Sequence, residues 1–174
     1  QRPQEANHFV NNKEHWFAVN SAGRNILSSP QKRLQSQGIE GRFLSPAIPE
    51  LRDYYQAIVE DLINRYAIQG IHLDYIRYPS DDYGYHSYAS KKFKNETGAD
   101  PNSQNLATEK LRKNWNNYRC SLVDSMVSNI NQIVENNGKI ALSAAVKPDP
   151  NVAREKYLQN WTKWLDIPNV DFVV

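Results

Sequence analysis

The chain has 174 residues, about the length of one domain, and its 40% hydrophobic, 23% charged and 11% aromatic residues are typical of a globular protein. Lysine and arginine total 21 against 19 aspartate and glutamate, and this near balance argues against nucleic acid or an anionic membrane as the main partner. No apolar run is long enough to span a bilayer, and the sole cysteine, Cys120, excludes an internal disulfide and a thiolate zinc site.

The first half of the chain predicts a helix followed by a strand. Residues 1–44 are polar and irregular, apart from an apolar patch at 15–19 that indicates a short strand or a packed loop. Two prolines then open a helix over about 50–67, whose apolar residues recur at spacings of three and four. The alternation of apolar and polar residues over 70–76 predicts a strand.

A long connection and two more helix–strand units follow. Residues 77–107 contain a short predicted helix over about 86–96, and a connection of this length is usually functional. The strongest helical periodicity covers about 108–136, and a buried strand is predicted over 140–146. A further helix is indicated by the apolar stripe of Tyr157, Leu158, Trp161, Trp164 and Leu165, and a last strand begins at Val170.

Alternating helices and buried strands indicate an α/β fold with a parallel sheet, because parallel strands need crossover helices. We expect a partial (β/α)8 TIM barrel, about half a barrel, with the strands adjacent in sequence order and open sheet edges. The chain begins with Gln1 and ends in an apolar run, so we expect 1–174 to be a fragment of a single TIM-barrel catalytic domain. Residues 1–44 would be an irregular lead-in, and 45–174 the barrel helices and strands. An open doubly wound sheet is the alternative, although no glycine-rich phosphate loop follows a strand.

The first predicted strand carries the strongest candidate for chemistry. Alternation places Gly70, His72 and Asp74 on one face, which would point into a barrel. Asp74 would then lie near the C-terminal mouth, where barrel enzymes hold their catalytic groups, with His72 one layer below. We expect Arg77 or His72 as a close partner of Asp74, within reach of the 77–85 loop. A purely structural role for Asp74 remains the alternative.

The segment Gly-Ile-His-Leu-Asp-Tyr-Ile-Arg-Tyr-Pro at residues 70–79 resembles the signature of glycosyl-hydrolase-like family 10. Other segments similar to the family follow in family order at 44–54, 83–85, 97–101, 115–119, 142–146 and 161–174. The resemblance covers roughly residues 40–174 and implies a TIM-barrel glycosidase, of which this chain would span about the end of the third strand to the sixth. The Pro-Met-Thr-Tyr that usually follows the last strand in the family is missing from this sequence.

The resemblance implies a glycoside hydrolase that acts on a polysaccharide or cell-envelope glycan, in an extracellular or envelope location. Asp74 would be the catalytic carboxylate, and no cofactor or metal is expected. Carbohydrate is the expected partner, and the residues expected to bind it are His72, Arg77, Tyr78, Tyr85, Arg119 and Lys147.

Hydrolysis of a glycosidic bond usually needs two facing carboxylates, and the sequence supplies only one clear candidate. Lys147 stands where an acidic residue would end the second strand, and Asp149 between two prolines is typical of a turn. Asp171 begins its strand and is interpreted as structural. The second carboxylate is therefore left unassigned, and a place beyond Val174 is one expectation.

Two other functional classes stay open. A non-catalytic protein that binds carbohydrate would use the aromatic residues without the carboxylates. A metal-dependent hydrolase similar to polysaccharide deacetylases would use His72, Asp74 and His86, although this spacing is a weak metal signal.

Overall fold

The computed structural model describes residues 9–102, 108–138, 140–166 and 170–174. Three short strands, β1 (Gly70–Leu73), β2 (Ala141–Ala144) and β3 (Phe172–Val173), form a parallel sheet in sequence order. His72 pairs with Ser143, and Ser143 with Phe172. The predicted α/β class and the predicted order of parallel strands are confirmed.

Seven helices accompany these strands in the described part of the chain. They are α1 (Phe9–Asn12), α2 (Gln31–Ser36), α3 (Pro49–Arg65), α4 (Ser87–Thr97), α5 (Glu109–Asn136), α6 (Pro150–Tyr157) and α7 (Trp161–Asp166). The predicted helices at 50–67, 86–96 and 108–136 correspond to α3, α4 and α5. Their ends follow ordinary capping chemistry, since Pro49 opens α3 and the Thr108 side chain caps α5.

The prediction of one helix near 157–165 is wrong, because two helices occupy 150–166. The Asp149 carboxylate accepts the backbone N–H groups of Asn151 and Val152 at 2.8 and 3.1 Å, so Asp149 is the N-cap of α6. Leu158 then takes a left-handed conformation, with φ of 55°, and ends this helix with its side chain fully buried. The chain turns there before α7 begins.

The first two strands are shorter than predicted. β1 ends at Leu73, and Tyr75 has a φ of 54°, which turns the backbone out of the sheet directly after Asp74. β2 likewise ends at Ala144. The carboxyl ends of both strands therefore lead into irregular chain over 74–78 and 145–149.

The two faces of the sheet have different environments. Leu142 and Ala144 are fully buried in the main core, and Ile71 and Leu73 pack against it on the same face. Helix α5 contacts both β2 and α3. On the opposite face His72 is exposed and Phe172 is 52% exposed, while Ser143 between them is buried. This face is therefore open at its two outer strands.

Residues 9–44 pack beside the loop that follows β1. Phe17, Ile26, Leu34 and Phe43 are buried in the main core. The lead-in also pairs with the loop, because Ser21 N–H donates to the Asp82 carbonyl at 2.8 Å. It builds a wall next to the end of β1 and leaves the open sheet face uncovered.

None of the described helices has the length and apolar character needed to cross a membrane.

Candidate active site

Asp74 lies at the carboxyl end of β1, at the edge of the sheet that alternation predicts for it. Its carboxylate is exposed, and its Oδ1 accepts the backbone N–H of Tyr75 at 2.8 Å. The carboxylate lines a cleft of about 220 Å³ that also contains Glu40, Tyr75, Arg77, Ala145, Val146 and Lys147. The cleft is thus built from the ends of two neighbouring strands and from the lead-in.

A larger groove of about 610 Å³ adjoins this cleft along β1. Its walls are mostly apolar and come from α3, α5 and the 41–46 segment, including Leu51, Val59 and Met126. Glu40, Asp74, Tyr75 and Arg77 line both spaces. These four residues therefore mark the junction of a polar cleft with an apolar groove.

Arg77 lies in the cleft as a half-buried cation held by aromatic rings. Its guanidinium carbon is 5.3 Å from the ring centres of Phe43 and Tyr75 and 4.8 Å from that of Tyr157. Burial lowers the pKa of Arg77, while the nearby tyrosines and carboxylates oppose this shift. These ring contacts fix the orientation of the guanidinium.

The expected pairing of Asp74 with Arg77 or His72 is not found as an ion pair or hydrogen bond in the described residues. Arg77 donates instead to the Tyr78 carbonyl at 3.2 Å. His72 is exposed on the open face, and its Nδ1 lies 2.8 Å from the Ser143 hydroxyl oxygen. The carboxylate of Asp74 therefore remains accessible to a ligand.

Lys147 joins the same cleft from the end of β2. Its ammonium nitrogen is 5.2 Å from the centre of the Tyr157 ring, on which the Arg77 guanidinium also lies. The side chain is half-buried and forms no ion pair in the described part of the protein. Tyr157, at the end of α6, thus positions two cations beside Asp74.

Gln159 holds the two strand ends together, a role that sequence reasoning missed. The side chain is fully buried, and its Nε2 donates to the carbonyls of Ile76 and Ala145 at 3.3 and 3.0 Å. Its Oε1 accepts the backbone N–H of Lys147 at 2.9 Å. One amide therefore satisfies three main-chain groups on the segments that carry Arg77 and Lys147.

Arg119, one of the residues predicted to bind substrate, does not line the cleft. It is 2% exposed and donates to the Asp81 carbonyl at 2.6 Å, to the Tyr83 carbonyl, and to Asn116 Oδ1 at 2.5 Å. Burial lowers the pKa of Arg119, and the nearby tyrosines oppose the shift. The side chain anchors the 81–83 loop from inside the protein.

Tyr78 and Tyr85 also lie away from the cleft. Tyr78 is 1% exposed, and burial raises the pKa of its hydroxyl. The half-buried Tyr85 ring packs against Trp115, with 5.5 Å between ring centres, and under Arg119. Tyr78 therefore does not line the cleft, and Tyr85 belongs to a separate aromatic cluster.

Glu40 also lines the cleft, although no sequence pattern selects it as a candidate. It is exposed in the lead-in, and its Oε2 accepts a hydrogen bond from the Tyr75 hydroxyl. This hydrogen bond raises the pKa of Tyr75. Glu40 precedes Asp74 by 34 residues and belongs to no periodic pattern, so only the folded structure brings the two together.

The three residues of the metal-dependent alternative are used separately. The Nδ1 of His86 accepts the Tyr88 N–H at 3.2 Å at the start of α4, and its Nε2 lies 2.9 Å from the His15 carbonyl oxygen. His72 is bound to Ser143, as described above. Within the described ranges no three histidine, cysteine or acidic side chains form a group suited to a metal ion. His72, Asp74 and His86 therefore do not form the ligand set of that alternative in the described residues.

The sequence profile of the family described as glycosyl hydrolase-like 10 matches residues 2–174. No curated protein matches the chain.

Among solved structures, the chain is similar to the PgaB (BpsB) glycoside hydrolase domain from Bordetella bronchiseptica, with a TM-score of 0.68 and 18% sequence identity. The similarity covers 90% of this chain and 43% of that structure, so the chain spans less than half its length. At this identity the likeness establishes a shared fold.

Proposed function

Because the chain belongs to the glycosyl hydrolase-like 10 family, the family that its 70–79 segment resembles, we propose that it hydrolyses a glycosidic bond in a polysaccharide or cell-envelope glycan. Asp74 is the carboxylate that acts at the anomeric carbon. The observation that carries this proposal is the exposed Asp74 carboxylate in a cleft at the carboxyl ends of two parallel strands. This is the edge at which α/β barrels hold their catalytic groups.

The proposal includes a partial (β/α)8 barrel as the framework of the site. Helices cover one face of the sheet, and the other face carries His72 and the exposed Phe172. An interior face of this kind would be covered by further strands in a closed barrel. The fold shared with part of a glycoside hydrolase domain supports the same framework.

The substrate contacts proposed from the cleft are Arg77, Lys147 and the ring of Tyr75, and the adjoining groove adds His72. Arg77 and Lys147 offer charged donors to sugar hydroxyls, and their positions are fixed by Tyr157. The Tyr75 ring is 44% exposed, so it offers an apolar surface to the C–H face of a pyranose. His72 lines the adjoining groove and would contact a substrate that extends along β1.

The decisive experiment compares wild type with Asp74→Asn on a panel of purified neutral, acidic and amino-sugar polysaccharides, and measures the release of reducing ends. We expect wild type to hydrolyse at least one of them and Asp74→Asn to lower kcat by about 10²- to 10⁴-fold, because the amide keeps the shape and loses the charge. Asp53→Asn, which changes an exposed aspartate on α3, is the matched control and should retain full activity.

A wild-type protein that binds one of these polysaccharides without cleaving it would overturn the hydrolase proposal in favour of a carbohydrate-binding role. Full activity of Asp74→Asn would instead remove Asp74 from the mechanism.

A further inference from the structure

A second carboxylate stands in the same cleft as Asp74, and it comes from a distant part of the sequence. Glu40 and Asp74 both line the 220 Å³ cleft and the 610 Å³ groove that adjoins it. Both side chains are exposed to this shared space. The cleft therefore presents two carboxylates to one ligand.

Tyr75 holds both carboxylates in place. Its backbone N–H donates to Asp74 Oδ1 at 2.8 Å, and its hydroxyl donates to Glu40 Oε2. The Oε1 of Glu40 accepts no hydrogen bond from the described residues, so it is available to a substrate. Tyr75 thus contacts both carboxylates, Asp74 through its backbone and Glu40 through its side chain.

Three other acidic residues, two of them considered from the sequence, are engaged elsewhere. Asp149 caps α6, and Asp171 Oδ2 accepts the backbone N–H of Leu142 at 2.7 Å. Asp82 accepts a hydrogen bond from the Ser21 hydroxyl. None of these three lines the cleft. Glu40 is therefore the only acidic partner of Asp74 among the described residues that line it.

We propose that Glu40 is the general acid and base that works with Asp74. Glu40 would then be the second catalytic carboxylate, which the sequence leaves unassigned. This inference rests on the proposed glycoside hydrolysis. Two carboxylates on either side of the scissile bond are the usual requirement of that reaction.

In the cleavage step, the Glu40 carboxylic acid gives its proton to the glycosidic oxygen. The bond from this oxygen to the anomeric carbon breaks, and its electron pair stays on the oxygen. A carboxylate oxygen of Asp74 forms the new bond to the anomeric carbon. Water then attacks this carbon and passes a proton to Glu40, and the Asp74 carboxylate departs with the electron pair of the ester bond. Both side chains return to their starting states.

The test uses two substrates that differ in their need for an acid. One is the polysaccharide that wild type hydrolyses, and the other is a 2,4-dinitrophenyl glycoside of its sugar, whose leaving group departs without a proton. Glu40→Gln should lower kcat/KM on the polysaccharide by about 10²- to 10⁴-fold and should affect cleavage of the dinitrophenyl glycoside far less. Asp74→Asn should lose activity on both.

Two further variants separate the role of Glu40 from a general effect. Glu60→Gln changes an exposed glutamate on α3 and should match wild type on both substrates. Tyr75→Phe keeps the ring and the N–H bond to Asp74 but removes the hydroxyl that holds Glu40, so its loss should be larger on the polysaccharide. Thermal unfolding midpoints within the range of the Glu60→Gln control show that each variant is folded.

Each result has a distinct meaning. Wild-type activity of Glu40→Gln on the polysaccharide, or equal losses on both substrates, would overturn the role of Glu40 and leave that of Asp74 standing. A wild-type protein without activity on any glycan would reject the hydrolase proposal and the role of Glu40 together.

Discussion

Gly84 sits where the loop after β1 passes over the buried side chains of Arg119 and Tyr78. Its φ is +105°, a region that residues with a Cβ rarely adopt, and a Cβ there would lie 2.6 Å from Arg119 Cδ and 3.2 Å from Tyr78 Cε1. Arg119 is held by the carbonyls of the same loop. The glycine therefore allows the close approach on which the loop anchor depends.

Gly84→Ala should lower the free energy of unfolding by about 2–4 kcal/mol, since the backbone strain adds to a steric clash. Gly23→Ala is the matched control, because Gly23 has a similar positive φ of +73° and no atom within 4 Å of the added Cβ. It should lose about 1 kcal/mol. Urea unfolding followed by tryptophan fluorescence measures both, and equal losses would show that the contact with Arg119 carries no cost.

For single residues, the sequence predicts the position of a side chain well where a local pattern determines which way that side chain faces. The predicted strand over 70–76 puts Asp74 near the carboxyl end of the sheet, and the observed β1 ends one residue before it, at Leu73. Arg119 gave no such indication, because a charged side chain is expected at the surface. It lies between Trp115 and Val123 on the buried face of its helix, where the 81–83 carbonyls satisfy its guanidinium. Glu40 depends on the path of an irregular segment, which no local periodicity determines.

The N-cap of helix α4 is His86, a residue whose side chain can take up a proton. The Nδ1 of His86 accepts the Tyr88 N–H, and its other ring nitrogen faces the His15 carbonyl, so the neutral ring with a proton on Nε2 satisfies both contacts. Burial lowers the pKa of His86 below its ordinary value, and the His15 carbonyl partly opposes this shift. Protonation of Nδ1 would remove the acceptor that caps the helix.

This arrangement predicts a pH dependence of stability. The folded state holds the His86 proton less tightly than the unfolded state, so its contribution is fully present above the unfolded pKa of about 6.5 and is lost as the pH falls through the lowered folded pKa. The free energy of unfolding, measured in urea, should therefore decrease more between about pH 7.5 and pH 5.5 for wild type than for His86→Asn. The asparagine amide can cap the helix and does not titrate. An identical decrease in both proteins would contradict the prediction.

Elements were predictable where periodicity and caps agreed. The three long helices satisfy both conditions, and their predicted bounds match the structure closely. The division of 150–166 into two helices was missed because the apolar stripe continues across Leu158. Leu158 takes the left-handed conformation that usually marks a helix end with glycine, so the sequence contains no sign of the break. The cap at Asp149 followed by Pro150 was the available sign of an earlier helix start.

For the whole molecule, the order of helices and strands was enough to predict a parallel sheet, because each crossover helix returns the chain to the same end of the sheet. The sheet meets this expectation with all three strands in sequence order. The role of residues 9–44 was not predictable, since these residues join the core through scattered apolar contacts. They supply the cleft with one of its two carboxylates.

The charges in the cleft have a consequence for the way a polymer approaches it. In its acid form Glu40 is uncharged, so Asp74 balances only one of the two cations, Arg77 and Lys147, and the cleft keeps one net positive charge in a chain of net charge +2. Dissolved ions screen the field of this charge beyond about 8 Å at physiological ionic strength. Capture of a neutral glycan should thus depend on contact rather than on long-range attraction, and kcat/KM on it should change little between low salt and about 0.15 M. Capture of an acidic glycan should weaken as salt is added, and the Lys147→Gln variant, which loses the net positive charge of the cleft, should show a smaller salt effect.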